Sequence, residues 1–128
     1  MIDRLEVLQM AQALAGNAGA RQAMVAQNIA NVDTPGYRAV DIAEFSEFLA
    51  ADTPAAGMRA TRKGHAVAPE AGFPQHIAYS GASPAPNGNT VSLEEEMMKI
   101  AEIRQQHEMA LAIYKSGLSV VRSGLGRG

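Results

Sequence analysis

A mainly α fold is expected from this sequence. Long N- and C-terminal helices pack as an antiparallel coiled-coil-like hairpin, joined by a Pro/Gly-rich, largely irregular middle segment with one short helix. Three observations predict it. Apolar residues keep heptad spacing over residues 93–125, a weaker seam of the same kind runs over residues 8–32, and all six prolines fall between residues 33 and 90. Steps of three and four residues mark a helix face that packs on other helices, while Pro and Gly clusters interrupt helices. The 128 residues therefore divide into an N-terminal helix over 1–32, a turn, short helix and extended loop region over 33–90, and a C-terminal helix over 91–128.

The first helix is predicted over about residues 3–32. Its seam is Leu8, Ala11, Ala15, Ala18, Gln22, Val25, Ile29 and Val32, which follows the alternating steps of a coiled coil. Large residues are scarce along it. Gly16 and Gly19 each cost roughly 1 kcal/mol of helix propensity relative to Ala. With Ala15, Ala18 and Ala20 they form a small-residue belt that would allow close backbone approach. Neighbours, rather than intrinsic propensity, are expected to stabilise this helix.

The last helix is the strongest pattern in the chain. Leu93, Met97, Ile100, Arg104, His107, Leu111, Tyr114, Leu118, Val121 and Leu125 hold heptad spacing, with Arg104 and His107 as the polar breaks. Ser92 and Glu95 have the spacing of a capping box, and Glu94, Glu95 and Glu96 complement the positive helix end. Ile113 and Val120 are apolar on a side that this seam does not cover. Helices apolar over most of their circumference are buried on most sides. Two helices cannot do that for each other, so further chains are expected to cover the rest.

Within 33–90 a short helix is expected at 41–50, capped by Asp41 with Glu44 and presenting Ile42, Phe45 and Leu49 on one side. A strand at "QHIAY" is possible. The remainder reads as loop and extended chain.

Composition narrows the function. Hydrophobic residues make up 47% of the chain, aromatics 5%, and the net charge is -2 with no basic block. Nucleic acid is disfavoured as a partner, because phosphate binding needs a basic footprint. The absence of cysteine excludes disulfides and thiolate chemistry. Residues 7–32 carry one charge, Arg21, and seven Asn or Gln side chains, too polar for a membrane span. No basic region followed by an apolar block opens the chain, so a Sec-type signal peptide is not expected. His65, His76 and His107 lack metal-ligand spacing, and no phosphate loop or nucleophile elbow occurs. No catalytic residue, metal, cofactor or small-molecule substrate is expected, and the chain does not read as an enzyme.

The stretch "NIANVDTPGYRA" at residues 28–39 ends the first helix. Thr34-Pro35-Gly36-Tyr37 suits a type II turn, with Pro setting φ at the second position and Gly accepting positive φ at the third. Asn31 is expected in the left-handed region as a helix C-terminal residue. Asn28 and Asn31, three apart, can cap helix carbonyls. The string resembles the N-terminal signature of bacterial flagellar axial proteins, the rod and hook family, in which N-[IV]-A-N-x-x-T-P-G-[YF] ends the first helix. Asn28, Ile29, Ala30, Asn31, Thr34, Pro35, Gly36 and Tyr37 match that motif. "GNTVSLEEEM" at 88–97 is similar to the opening of the C-terminal helix in a proximal rod protein of this family. "RATRKGH" at 59–65 is more loosely similar to its loop, and the short 33–90 insertion fits the proximal rod.

The resemblance implies a structural subunit of the proximal rod in the flagellar basal body. Its terminal helices would co-assemble into a helical tube that transmits torque and encloses the export channel. It also implies export by the flagellar type III apparatus. The implied partners are other flagellar rod subunits, the rod–MS-ring adaptor and the export-gate proteins at the rod base, in a helical hetero-oligomer. The assembly seam would use Leu8, Ala15, Val25, Ile29, Leu93, Met97, Ile100, Leu111, Tyr114, Leu118, Val121 and Leu125. Two alternatives remain open: the second proximal rod protein of the same family, and a cytosolic coiled-coil export chaperone or adaptor.

Overall fold

The computed structural model describes residues 2–50 and 77–126. Five elements follow in order: helix α1 (Ile2–Ala30), strand β1 (Val40–Ile42), helix α2 (Phe45–Ala50), strand β2 (Ile77–Tyr79) and helix α3 (Leu93–Leu125). At 1.5 Å per residue, α1 and α3 are about 44 and 50 Å long. They pack as an antiparallel pair. Asn28 near the end of α1 meets Glu96 near the start of α3, while Leu8 lies against Gly117 at the opposite end.

Heptad geometry organises the seam. The buried positions recur every seven residues: Ala11, Ala18 and Val25 on α1, and Glu96, Ile103 and Ala110 on α3. Ala18, Val25 and Ile103 form the core, with Ile29 and Ile100 packed on its flanks. The first helix follows its predicted face except at Gln22, which is exposed while neighbouring Arg21 is buried. The phase of α3 differs by one residue. Glu96, Ile103, Ala110 and Gly117 take the line expected for Met97, Arg104, Leu111 and Leu118, whereas Ile100, His107 and Val121 keep partly buried places. Two causes are visible. Arg104 stays hydrated on the outer surface, and Gly117 gives up its side-chain space to Leu8, whose Cδ2 lies 2.8 Å from where a Cβ would stand.

Gly16 and Gly19 have nothing near their missing side chains. Among the described residues, therefore, the expected small-residue belt is not a site of close approach. Of the belt's members Ala18 is fully buried and Ala15 half-buried on the seam.

After Ala30, α1 tightens into i→i+3 bonds: the amides of Asn31 and Val32 donate to the carbonyls of Asn28 and Ile29. No non-glycine residue among those described has positive φ, so Asn31 stays out of the left-handed region. Tightened bonding satisfies the carbonyls that a left-handed cap would have taken. The turn then forms as the motif suggests. The Tyr37 amide donates to the Thr34 carbonyl, and Gly36 adopts φ +71°.

β1 and β2 pair antiparallel, with Val40 opposite Tyr79, Asp41 opposite Ala78 and Ile42 opposite Ile77. The Asp41 helix cap is not formed. Residues 40–42 are recruited as a strand because β2 and Asn28 both bond their backbone, and the helix starts only at Phe45. The Ser92–Glu95 capping box is absent as well, since Ser92 begins α3 without a side-chain bond to the helix. The expected loop at 59–65, with His65, and His76 lie outside the described residues, as does the Leu49 side chain.

Candidate functional site

Two features stand out: a polar junction where the ends of α1 and α3 meet β1, and the apolar helix surface left over by the seam. The junction is built around Asn28, whose side chain is 0% exposed. Its Nδ2 donates to the Val40 carbonyl at 2.7 Å and to Glu96 Oε2 at 3.1 Å. Its Oδ1 accepts from the Val40 amide at 3.0 Å and from the Tyr37 hydroxyl at 3.4 Å. One amide thus mimics a strand partner for Val40 and ties α1 to α3. A buried amide saturated in this way stabilises, whereas each orphaned buried group costs about 1–3 kcal/mol.

Charges extend the junction. Glu96 also accepts from Lys99 at 3.1 Å, and Lys99 lies 3.6 Å from Asp41. Asp41 in turn faces Arg21 at 3.4 Å, and the far side of Arg21 approaches Glu44 at 3.7 Å. Positive and negative groups alternate from α2's start through α1 and β1 to α3. Arg21 and Glu96 are buried while Asp41, Lys99 and Glu44 stay part exposed, so the pairs add little net stability by themselves, yet removing the partners of either buried group strands its charge. Glu94, Glu95 and Glu96 all stand in the first turn of α3, as expected, and Glu96 is in addition buried in the junction.

A second amide secures the turn. Asn89 Nδ2 lies 2.9 Å from each of the carbonyls of Asn31, Val32 and Thr34, covering the helix end from outside. The Gly36 amide donates to the Asn87 carbonyl, the Thr90 amide to the Tyr37 carbonyl, and Thr90 Oγ1 accepts from the Ala39 amide. Residues 87–90 therefore act as a strap over the turn. Asn31 caps its own helix, donating to the Gln27 carbonyl at 2.8 Å, and accepts from Thr34 Oγ1 at 3.2 Å.

The motif residues therefore serve different ends. Asn28, Asn31, Thr34, Gly36 and Tyr37 are brought into one hydrogen-bonded cluster, Ile29 flanks the core, and Ala30 and Pro35 face outward. Arg21, Asp41, Asn89, Glu96 and Lys99 were missed from the sequence. One signal pointed to Arg21: a lone charge within an otherwise uncharged helical run is more often paired than solvated.

A family model described as "Flagella basal body rod protein" matches residues 10–38, the span from mid-α1 through the turn. Flagellar basal body rod protein FlgB of Agrobacterium fabrum is 32% identical over 119 residues, covering 88% of this chain and 87% of the relative. The chain belongs to the flagellar basal body rod protein family. FlgB of Salmonella typhimurium is 33% identical over 127 residues, with 92% of each chain covered, and FlgB of Escherichia coli is 32% identical with 97% of this chain covered. This rod protein is accordingly a structural subunit of the basal-body rod. Its relatives carry the names of structural proteins.

In the rod protein the predicted seam residues separate into two groups. Leu8, Ala15, Val25, Ile29, Ile100, Leu118 and Val121 are buried or half-buried within the chain. Leu93, Met97, Leu111, Tyr114 and Leu125 are exposed, and so are Leu5, Val7, Met10, Met109, Ile113 and Val120. No helix among the described residues is long and apolar enough to cross a membrane.

Proposed function

We infer that this subunit joins the proximal rod through its two terminal helices, which co-assemble with those of neighbouring subunits into a helical tube. The supporting observation is the apolar surface on α3 beyond its seam with α1, from Leu111 and Ile113 to Val120 and Leu125. Clustered exposed apolar groups of this kind mark interaction surfaces. Burial there is worth about 25 cal/mol per Å², gained only on assembly. The tube transmits torque and encloses the export channel. Its neighbours are other rod subunits, the rod–MS-ring adaptor and the export-gate proteins at the rod base, and the subunit arrives by flagellar type III export.

The test is complementation. A strain lacking the gene should regain motility with this chain, and the chain should be present in purified basal bodies. Retention as a stable small oligomer in the cytosol, with none in basal bodies, would overturn the reading in favour of an export chaperone.

A further inference from the structure

The strap opens on a tight turn of its own. The Gly88 amide donates to the Ala85 carbonyl at 2.7 Å, and the Ala85 amide donates to the Asn89 carbonyl at 2.8 Å. No described non-glycine residue has positive φ, so Pro86 and Asn87 are the central pair of a type I turn, closed by Gly88 at φ +81°. That φ calls for glycine. The same glycine leaves Asn87 without a shielding neighbour. An asparagine side-chain amide is displaced by the next residue's backbone nitrogen when that nitrogen is unhindered and free. Asn28, Asn31 and Asn89 precede the β-branched Ile29, Val32 and Thr90, and Asn17 lies within α1, where the next amide is engaged. Asn87 alone precedes glycine, and both residues are exposed.

We propose that Asn87 is a site of spontaneous deamidation whose rate is set by the strap. The Gly88 amide gives its proton to hydroxide, and its nitrogen bonds to Asn87 Cγ. The Cγ–Nδ2 bond breaks, and Nδ2 leaves as ammonia with a proton taken from water. A second water opens the resulting succinimide at either carbonyl, leaving an aspartyl or an isoaspartyl residue. Nothing is oxidised or reduced. In the closed strap the proton that must leave is held by the Ala85 carbonyl, so the folded chain reacts about tenfold more slowly than the open one.

The two products act differently. Aspartate keeps the main chain and the Oδ1 that accepts from the Asn89 amide at 3.1 Å. The isoaspartyl form routes the main chain through Cβ and Cγ, which lengthens the strap by one carbon. The carbonyl that accepts from the Gly36 amide at 3.0 Å becomes a carboxylate beside the chain. Asn89, two residues on, is thereby displaced from the carbonyls of Asn31, Val32 and Thr34.

The test incubates the purified full chain at neutral pH, folded and in urea. Peptide mapping and labelling by an isoaspartyl-specific methyltransferase locate the product. It should appear first at Asn87, about tenfold more slowly in the folded chain, and faster as pH rises; Asn87→Gln should remove it. No product at Asn87, or earlier product at another asparagine, would overturn the site. Equal rates with and without urea would refute control by the strap. The isoaspartyl fraction, separated by ion exchange, should unfold at lower urea than the parent, and Asn87→Asp close to the parent. An equal loss in both would show that charge, not the lengthened strap, does the damage, against the proposal.

Discussion

Asn28 in the last turn of α1 and Glu96 in the first turn of α3 meet at 3.1 Å, and both side chains are buried. The contact spans 68 residues of sequence. Through it the two helices are set in register at the end where the chain turns. Asn28→Leu should destabilise the fold by about 2–4 kcal/mol, because Glu96 and both polar groups of Val40 lose a partner together. Asn28→Asp, nearly the same shape, should do at least as much damage by setting a second carboxylate beside Glu96. Urea unfolding of the purified chain followed by circular dichroism checks both. A midpoint unchanged by the Asp variant would refute the role given to this amide.

Gly36 has φ +71° and sits where the strap crosses the turn. Gly36→Val should cost on the order of 1–2 kcal/mol locally and redirect the chain in every subunit. Motility in soft agar should fall while the subunit is still exported. Normal swimming with complete rods would show that the turn tolerates another conformation.

Ile103 and Leu111, eight residues apart on α3, should respond differently to the same change. Ile103 is buried in the core; Leu111 is 39% exposed on the flank. Ile103→Asp should unfold the hairpin, since burying an uncompensated polar group costs several kcal/mol. Leu111→Asp should leave the helix content of the purified chain near wild type and abolish rods. His107→Ala should still permit rods. Circular dichroism and basal-body counts together separate folding from assembly.

Amide exchange of the isolated chain should be graded along the helices. Protection should concentrate around residues 18–29 and 96–110, where the buried groups and the polar junction lie. Residues 5–10 and 119–125 should exchange quickly, because most of their apolar side chains are exposed among the described residues. Uniform slow exchange over both helices would contradict this division.

The helices and the turn were legible because their signals are local. Heptad spacing marks α1 and α3, Thr34-Pro35-Gly36 marks the turn, and Ile77–Tyr79 falls inside the stretch that reads as a strand. Long-range partners were not. Nothing near Asn89 in sequence announces that its amide covers carbonyls at 31, 32 and 34, and nothing near Asp41 outweighs its helix-cap spacing except Val40's bonds to Asn28. The α3 phase was misjudged for a related reason. Leu111 and Leu118 look like seam residues by size, yet Ala110 and Gly117 let α1 come closer, leaving Leu111 exposed and Leu118 half-buried.

The pairing of β1 with β2 has a consequence for how the chain tolerates change. Ile42 and Ile77 are opposite one another, so the chain leaves this strand pair and returns to it at neighbouring points. Where two points of a chain are already held together, doubling the length between them adds only about 0.6 kcal/mol of closure cost. A tag or reporter peptide spliced between residues 51 and 76 should leave the turn, the strap and both helices in place. An insertion there is then a change of length that needs no redesign of the hairpin, and a handle by which a single subunit could be made visible inside a working motor.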